Sequence, residues 1–243
     1  MGRARVAAVV VAAIGWFVFG AGLGQQAVAV EVRVPEEQKK PAAEPEAPKA
    51  AIKELEGGFV AADLTELFNS DGITSEADRS DSDFDQWKQS FAAEELPDAG
   101  KFTPKDVKTP FLFPAKDAGK KNNVACKGQK IPIGLKAKQL CLLATATDAN
   151  HEEKLTLEYA DGQAQADLKV TDWCQPAAFG EKTGAVCPSR VAIGVGGENA
   201  MGKEKKETHI WAVYLPLAAE RELKSITLPN NAKIHVFAIT LAK

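Results

Sequence analysis

The chain is poor in the residues and spacings that most enzymes and nucleic-acid binders need. Its four cysteines, Cys126, Cys141, Cys174 and Cys187, include no C-x-x-C pair, so a zinc ribbon or a thioredoxin-type redox centre has no framework. The three histidines, His151, His209 and His235, stand in no H-E-x-x-H helix, nucleophile elbow or cysteine–histidine context, and no catalytic residue is assigned to them. The lysines are scattered and the formal net charge is −3. Without a basic stripe to neutralise phosphates, nucleic acid is not an expected partner. Aromatic residues make up 7% of the chain, which leaves few rings for the flat platforms that cover a pyranose face. No segment sustains a 3.6-residue hydrophobic period over four turns, and no internal repeat is visible. That speaks against a helical fold.

What is present divides into three parts. Residues 1–29 read as a secretory signal: Arg3 and Arg5 precede an apolar run over residues 6–19, and Ala27-Val28-Ala29 supplies a small-x-small cleavage pattern. The rival reading is an uncleaved anchor, for which the apolar run is marginal in length. The membrane is thus expected to matter only through this segment, and the location to be secreted, periplasmic or at the cell envelope. Residues 30–57 are rich in Pro, Ala, Glu and Lys and read as a semi-extended linker, with too little apolar surface to offset chain entropy. Residues 58–243 carry short strand-like runs separated by turn signals, the pattern of an all-β sandwich.

Residues 139–174 give the clearest part of that pattern, as three runs. In QLCLLATAT, Leu140, Leu142, Ala144 and Ala146 fall on one face and Cys141, Leu143, Thr145 and Thr147 on the other. Two mostly apolar faces predict a central strand. Leu155, Leu157 and Tyr159 alternate with polar residues, and Asp161-Gly162 predicts a tight type I′ hairpin to a strand through Leu168 and Val170. Residues 175–208 read as a long irregular insertion, functional or mobile. Three more strands, HIWAVYLPL, LKSITLP and KIHVFAITLA, close the chain.

The order of DLTELFNSDGI, SFAAEELP, FLFP, NNVACKGQKIPI, QLCLLATAT, LEYADG and VTDWC over residues 59–241 resembles the galactose-binding-like jelly-roll domains of the NPCBM-like kind, found attached to bacterial glycoside hydrolases and surface proteins. The resemblance implies a jelly-roll β-sandwich that binds carbohydrate without catalysing a reaction, on polysaccharide or an envelope protein. The alternative is a structural or protein-interaction domain whose contact surface is residues 175–207. A hydrolase comes third.

Candidate sites follow. The acidic loop carries Asp71, Glu76, Asp78, Asp81, Asp83 and Asp85. Asp81-x-Asp83-x-Asp85, with Asp71, alternates as a calcium loop does, and a structural calcium is the one cofactor considered. A solvated acidic loop is the plainer expectation. Trp87, with Asp83 and Asp85, is the candidate sugar-binding set, whereas Trp173 and Trp211 lie in strands and are expected in the core. Glu94-Glu95 is the one tight carboxylate pair. Neighbours on a strand point to opposite faces, so it is unsuited to glycoside hydrolysis. The even cysteine count in an exported chain predicts disulfides, with Cys126–Cys141 and Cys174–Cys187 the expected pairing among three connectivities.

Overall fold

A computed structural model describes residues 52–75, 84–117, 119–193 and 201–243. Asp81, Asp83, Glu76, Asp78, the signal and most of the linker lie outside the described residues. Among the described residues no helix is long and apolar enough to cross a membrane.

The fold is an all-β sandwich. Its central sheet runs β1 (Ile52–Leu55), β2 (Phe59–Ala62), β17 (Ile234–Ala242), β9 (Gln139–Ala146), β15 (Thr208–Pro216) and β12 (Lys182–Cys187), with β7 (Val124–Ala125) paired to β17. A second sheet runs β11 (Gly162–Val170), β10 (His151–Tyr159), β16 (Glu222–Thr227) and β8 (Lys130–Lys136). A third runs β14 (Met201–Glu204), β13 (Arg190–Ile193), β4 (Ser90–Ala92) and β3 (Ile73–Thr74), beside a ribbon of β5 (Gly100–Phe102) and β6 (Phe111–Phe113).

The alternation of β9 explains the layering. Leu140, Leu142, Ala144 and Ala146 pack with Ile131, Leu155, Leu157, Leu168 and Ile226 of the second sheet. Cys141 and Leu143, on the opposite face, pack with Phe91, Phe111, Phe113 and Trp173. The central sheet is therefore apolar on both sides and separates two cores, as the sequence of β9 predicts. In β17 a register shift between Val236 and Ala238 lets consecutive Phe237 and Ala238 both join the second core. Val236 and Ile239 stay in the first. Such a bulge is how a strand changes which residues it buries.

Four expectations change. The three runs of residues 139–174 do not share one sheet: β9 pairs with β15 and β17, while β10 pairs with β11 and β16 in the other sheet. The β10–β11 hairpin is tight, with Tyr159 opposite Gly162, but its positive φ lies at Gly162 (137°) and Asp161 has none. The type I′ assignment therefore fails. The insertion at 175–208 is not irregular, because it contributes β12, β13 and β14. Its strands are short, and a mixed polar sequence hides a period of two. The sandwich also takes in Ile52–Leu55, paired to Phe59–Ala62, within the stretch that reads as linker.

Candidate functional site

The most exposed large hydrophobic side chain among the described residues is Trp87, at 64%. It stands on a turn that its neighbours hold firmly. Phe84 N–H donates to Gln89 O at 2.9 Å and Lys88 N–H to Asp85 O at 3.1 Å. Asp85 Oδ1 accepts the N–H groups of Trp87 (2.8 Å) and Gln89 (3.0 Å). Lys88 takes a positive φ of 56° to close the turn. Below it, Phe84 is buried against Phe91, Trp173 and His235, with ring centroids 5.2, 5.1 and 4.2 Å away. The apolar Phe84 thus anchors a loop that lifts Trp87 into solvent.

Asp85 is only 8% exposed. Burial raises its pKa above the usual carboxylate range, against the pull of the two backbone N–H groups, and the charge of Asp148 adds to the rise. Asp172 is raised for the same first reason, and again Asp148 contributes. The turn at 84–89 and the turns after β9 and β11 therefore gather at one end of the sandwich. Beside the turn opens a cavity of about 500 Å³, whose lining includes Asp71, Asp85, Gln86, Lys121, Lys127 and His235.

A buried amide network stands behind this cavity and holds two of its lining residues, Asp71 and His235. Asn122 Oδ1 accepts the Gly72 N–H at 2.9 Å, and its Nδ2 donates to Asp71 Oδ1 at 2.6 Å and to Lys120 O at 3.1 Å. Asn123 Nδ2 donates to Asn122 Oδ1 at 3.1 Å and to Ser70 O at 3.2 Å. Its Oδ1 lies 2.8 Å from His235 Nδ1. Burial, with the nearby Lys233 charge, holds the His235 imidazole down at about 3. It is therefore neutral at physiological pH. Sequence reading missed this network, since Asn122-Asn123 looks like an ordinary strand entry and His235 like one member of an alternating strand.

The predicted site residues divide. Asp85 and Asp71 line the cavity, and Trp87 stands on the same turn as its lining residues Asp85 and Gln86; Asp83 and Asp81 lie outside the described residues. For calcium, the cavity offers two described carboxylates, one oxygen of Asp85 already holding two N–H groups and one of Asp71 holding Asn122. Calcium takes about six to eight oxygens, and among the described residues no cluster of three or more metal-ligating side chains exists. The described set does not fit that ion. Glu94-Glu95 is structural in part: Glu95 accepts Ser189 N–H at 2.8 Å and pairs with Lys203 at 3.2 Å. Burial would raise its pKa, but these contacts outweigh it and the net shift is downward. Trp173 and Trp211 are buried, as expected.

The disulfides are a correction. All four cysteines are free. Cys126 lies in the core shared with the second sheet and Cys141 in the core on the other face of the central sheet, so the backbone of that sheet stands between them. Cys187 Sγ donates to Ala92 O at 3.4 Å, while Cys174 Sγ accepts from Arg190 Nη1 at 3.6 Å. Burial pushes the thiols of Cys126 and Cys187 up to about 12 and those of Cys141 and Cys174 to about 11, where thiolate chemistry is suppressed.

A family model described as an AziU2-like beta-sandwich domain matches residues 61–243. No curated protein matches the chain.

Proposed function

The chain belongs to the AziU2-like beta-sandwich domain family, and from that premise we propose that it is an exported, non-catalytic carbohydrate-binding-like module acting on polysaccharide at the cell envelope or outside the cell. The observation that carries the reading is Trp87, 64% exposed on a turn locked by Asp85, whose residues Asp85 and Gln86 line an open cavity. An aromatic ring kept in solvent at an ordering cost already met by its turn suits the apolar face of a sugar ring, and nearby acceptors suit its hydroxyls. The galactose-binding-like, jelly-roll character suggested by the sequence belongs to this proposal, and the signal-like N-terminus supports export.

The test is affinity electrophoresis of the full chain through gels containing a panel of polysaccharides, beside Trp87→Ala. Retardation by at least one polysaccharide is expected, weakened about tenfold or more by the substitution, equivalent to about 1.4 kcal/mol. The melting temperature should stay put, because an exposed side chain changes stability by no more than about 0.5 kcal/mol. Free migration through every polysaccharide would sink the reading in favour of a protein-interaction domain.

A further inference from the structure

The network behind the cavity fixes where the proton of His235 sits. Gly72 N–H is a backbone donor, so the Asn122 atom 2.9 Å away is its carbonyl oxygen. The other end of Asn122 faces a carboxylate oxygen of Asp71 and the Lys120 carbonyl, both acceptors, which confirms that end as NH₂. Asn123 presents one end to Asn122 Oδ1 and Ser70 O; with two acceptors before it, that end is also NH₂. Its remaining oxygen therefore faces His235 Nδ1 at 2.8 Å, and an oxygen without a proton requires Nδ1 to be the donor. The proton is on Nδ1. Nε2 is left as a bare lone pair.

That lone pair has no hydrogen-bond partner among the described residues, although His235 is only 3% exposed, and it is absent from the orphaned, fully sealed side-chain atoms, which are Thr74 Oγ1, His209 Nδ1 and Trp211 Nε1. His235 lines the cavity of about 500 Å³. Asp85 lines it too, and only its Oδ1 is engaged, by Trp87 and Gln89 N–H. Neither acceptor is sealed off, and two acceptors with no protein donor on residues lining one cavity point to a ligand that brings donors.

We propose that this cavity receives a single sugar residue, or a polyol of like size, whose hydroxyls donate to His235 Nε2 and to the second carboxylate oxygen of Asp85. The inference rests on the carbohydrate reading for its ligand class and adds the acceptors that would select it. Because His235 offers an acceptor and no donor, ligands lacking a free hydroxyl at that position are refused, while an added charge is not required. Lys121 and Lys127 on the rim supply donors to the remaining sugar oxygens.

The test uses the full chain with ¹⁵N-labelled histidine and long-range proton–nitrogen spectra. Without ligand, His235 should show a protonated Nδ1 and an unprotonated Nε2. D-glucose, D-galactose and D-mannose are then titrated separately. At least one is expected to move Nε2 in a saturable way, with Nδ1 nearly still. Asp85→Asn, which keeps an oxygen for the turn but replaces the other with a donor, should weaken that titration about tenfold or more. A protonated Nε2 in the free protein, or an Nε2 unmoved by all three sugars, overturns the proposal. Polysaccharide retardation that depends on Trp87 with an unmoved Nε2 also overturns it, and leaves the broader reading intact. A saturable Nε2 shift in a chain that no polysaccharide retards upholds the cavity and rejects the polysaccharide reading.

Discussion

At Gly72 a side chain has no room: a Cβ there would lie 2.5 Å from Phe84 Cδ2 and 2.8 Å from Asn123 Nδ2. The glycine lets the ring that anchors the Trp87 turn and the amide that orients His235 meet over one backbone atom. Gly72→Ala should therefore lower stability by roughly 1–3 kcal/mol, the range for overpacking a tight site. Urea denaturation measures it, and an unchanged midpoint would mean that Phe84 moves aside freely. His235 gives a second effect at this scale. Its folded pKa, about 3, is depressed from 6.5, so its contribution to stability is complete above pH 6.5 and is lost as pH falls toward 3. The slope should approach about 1.4 kcal/mol per pH unit below pH 6. Denaturation midpoints at pH 7, 5.5 and 4.5 test this against His235→Asn, which has no such proton and should lose the slope. Asp85 acts oppositely: its raised pKa makes its folded carboxylate a cost at neutral pH that protonation relieves.

Among the elements, β9 is the informative one. Its sequence announces a strand buried on both faces, and its pairing with β17 and β15 makes it the centre of the central sheet. The same alternation decides the cysteine chemistry, because Cys141 faces away from the core that holds Cys126. Thiol titration should find four reactive groups in denaturant and almost none quickly in the folded chain, and a reducing agent should leave the melting temperature unchanged. A drop in melting temperature on reduction would show a disulfide in solution. The strand at Lys182–Cys187 and its successors were illegible in sequence for a different reason. Arg190 joins three segments there, reaching Glu204 and Gln89 at 2.6 Å each as well as Cys174, and partnerships of that range leave no local period.

For the molecule as a whole, the consequence of a double-sided central sheet is two cores that depend on one set of strands. Leu142 and Leu143 are adjacent and fully buried, yet they serve different cores. Leu142→Ala and Leu143→Ala should each cost about 2–5 kcal/mol in chemical denaturation, and each should lower one cooperative transition. Two separated transitions would show that the layers unfold independently. The site at the loop end depends on the same arrangement, since Phe84, whose ring lies 4.2 Å from that of His235, packs into the core on the Phe91 side of the sheet.

By itself the sequence determined the all-β sandwich, the two-faced character of β9, the burial of Trp173 and Trp211 and the candidacy of Trp87, because period and turn chemistry are local properties carried by neighbouring residues. Tertiary structure alone decided that the cysteines stay apart, that residues 182–204 contain strands, and that Asp71, Asp85 and His235 line one cavity with Asn122 and Asn123 behind it. The cavity depends on partners 50 to 112 positions apart, such as Gly72 with Asn122 and Asn123 with His235. No window along the chain contains both members of such a pair, so the hydrogen bond that fixes the His235 proton exists only once the sheet has brought them together.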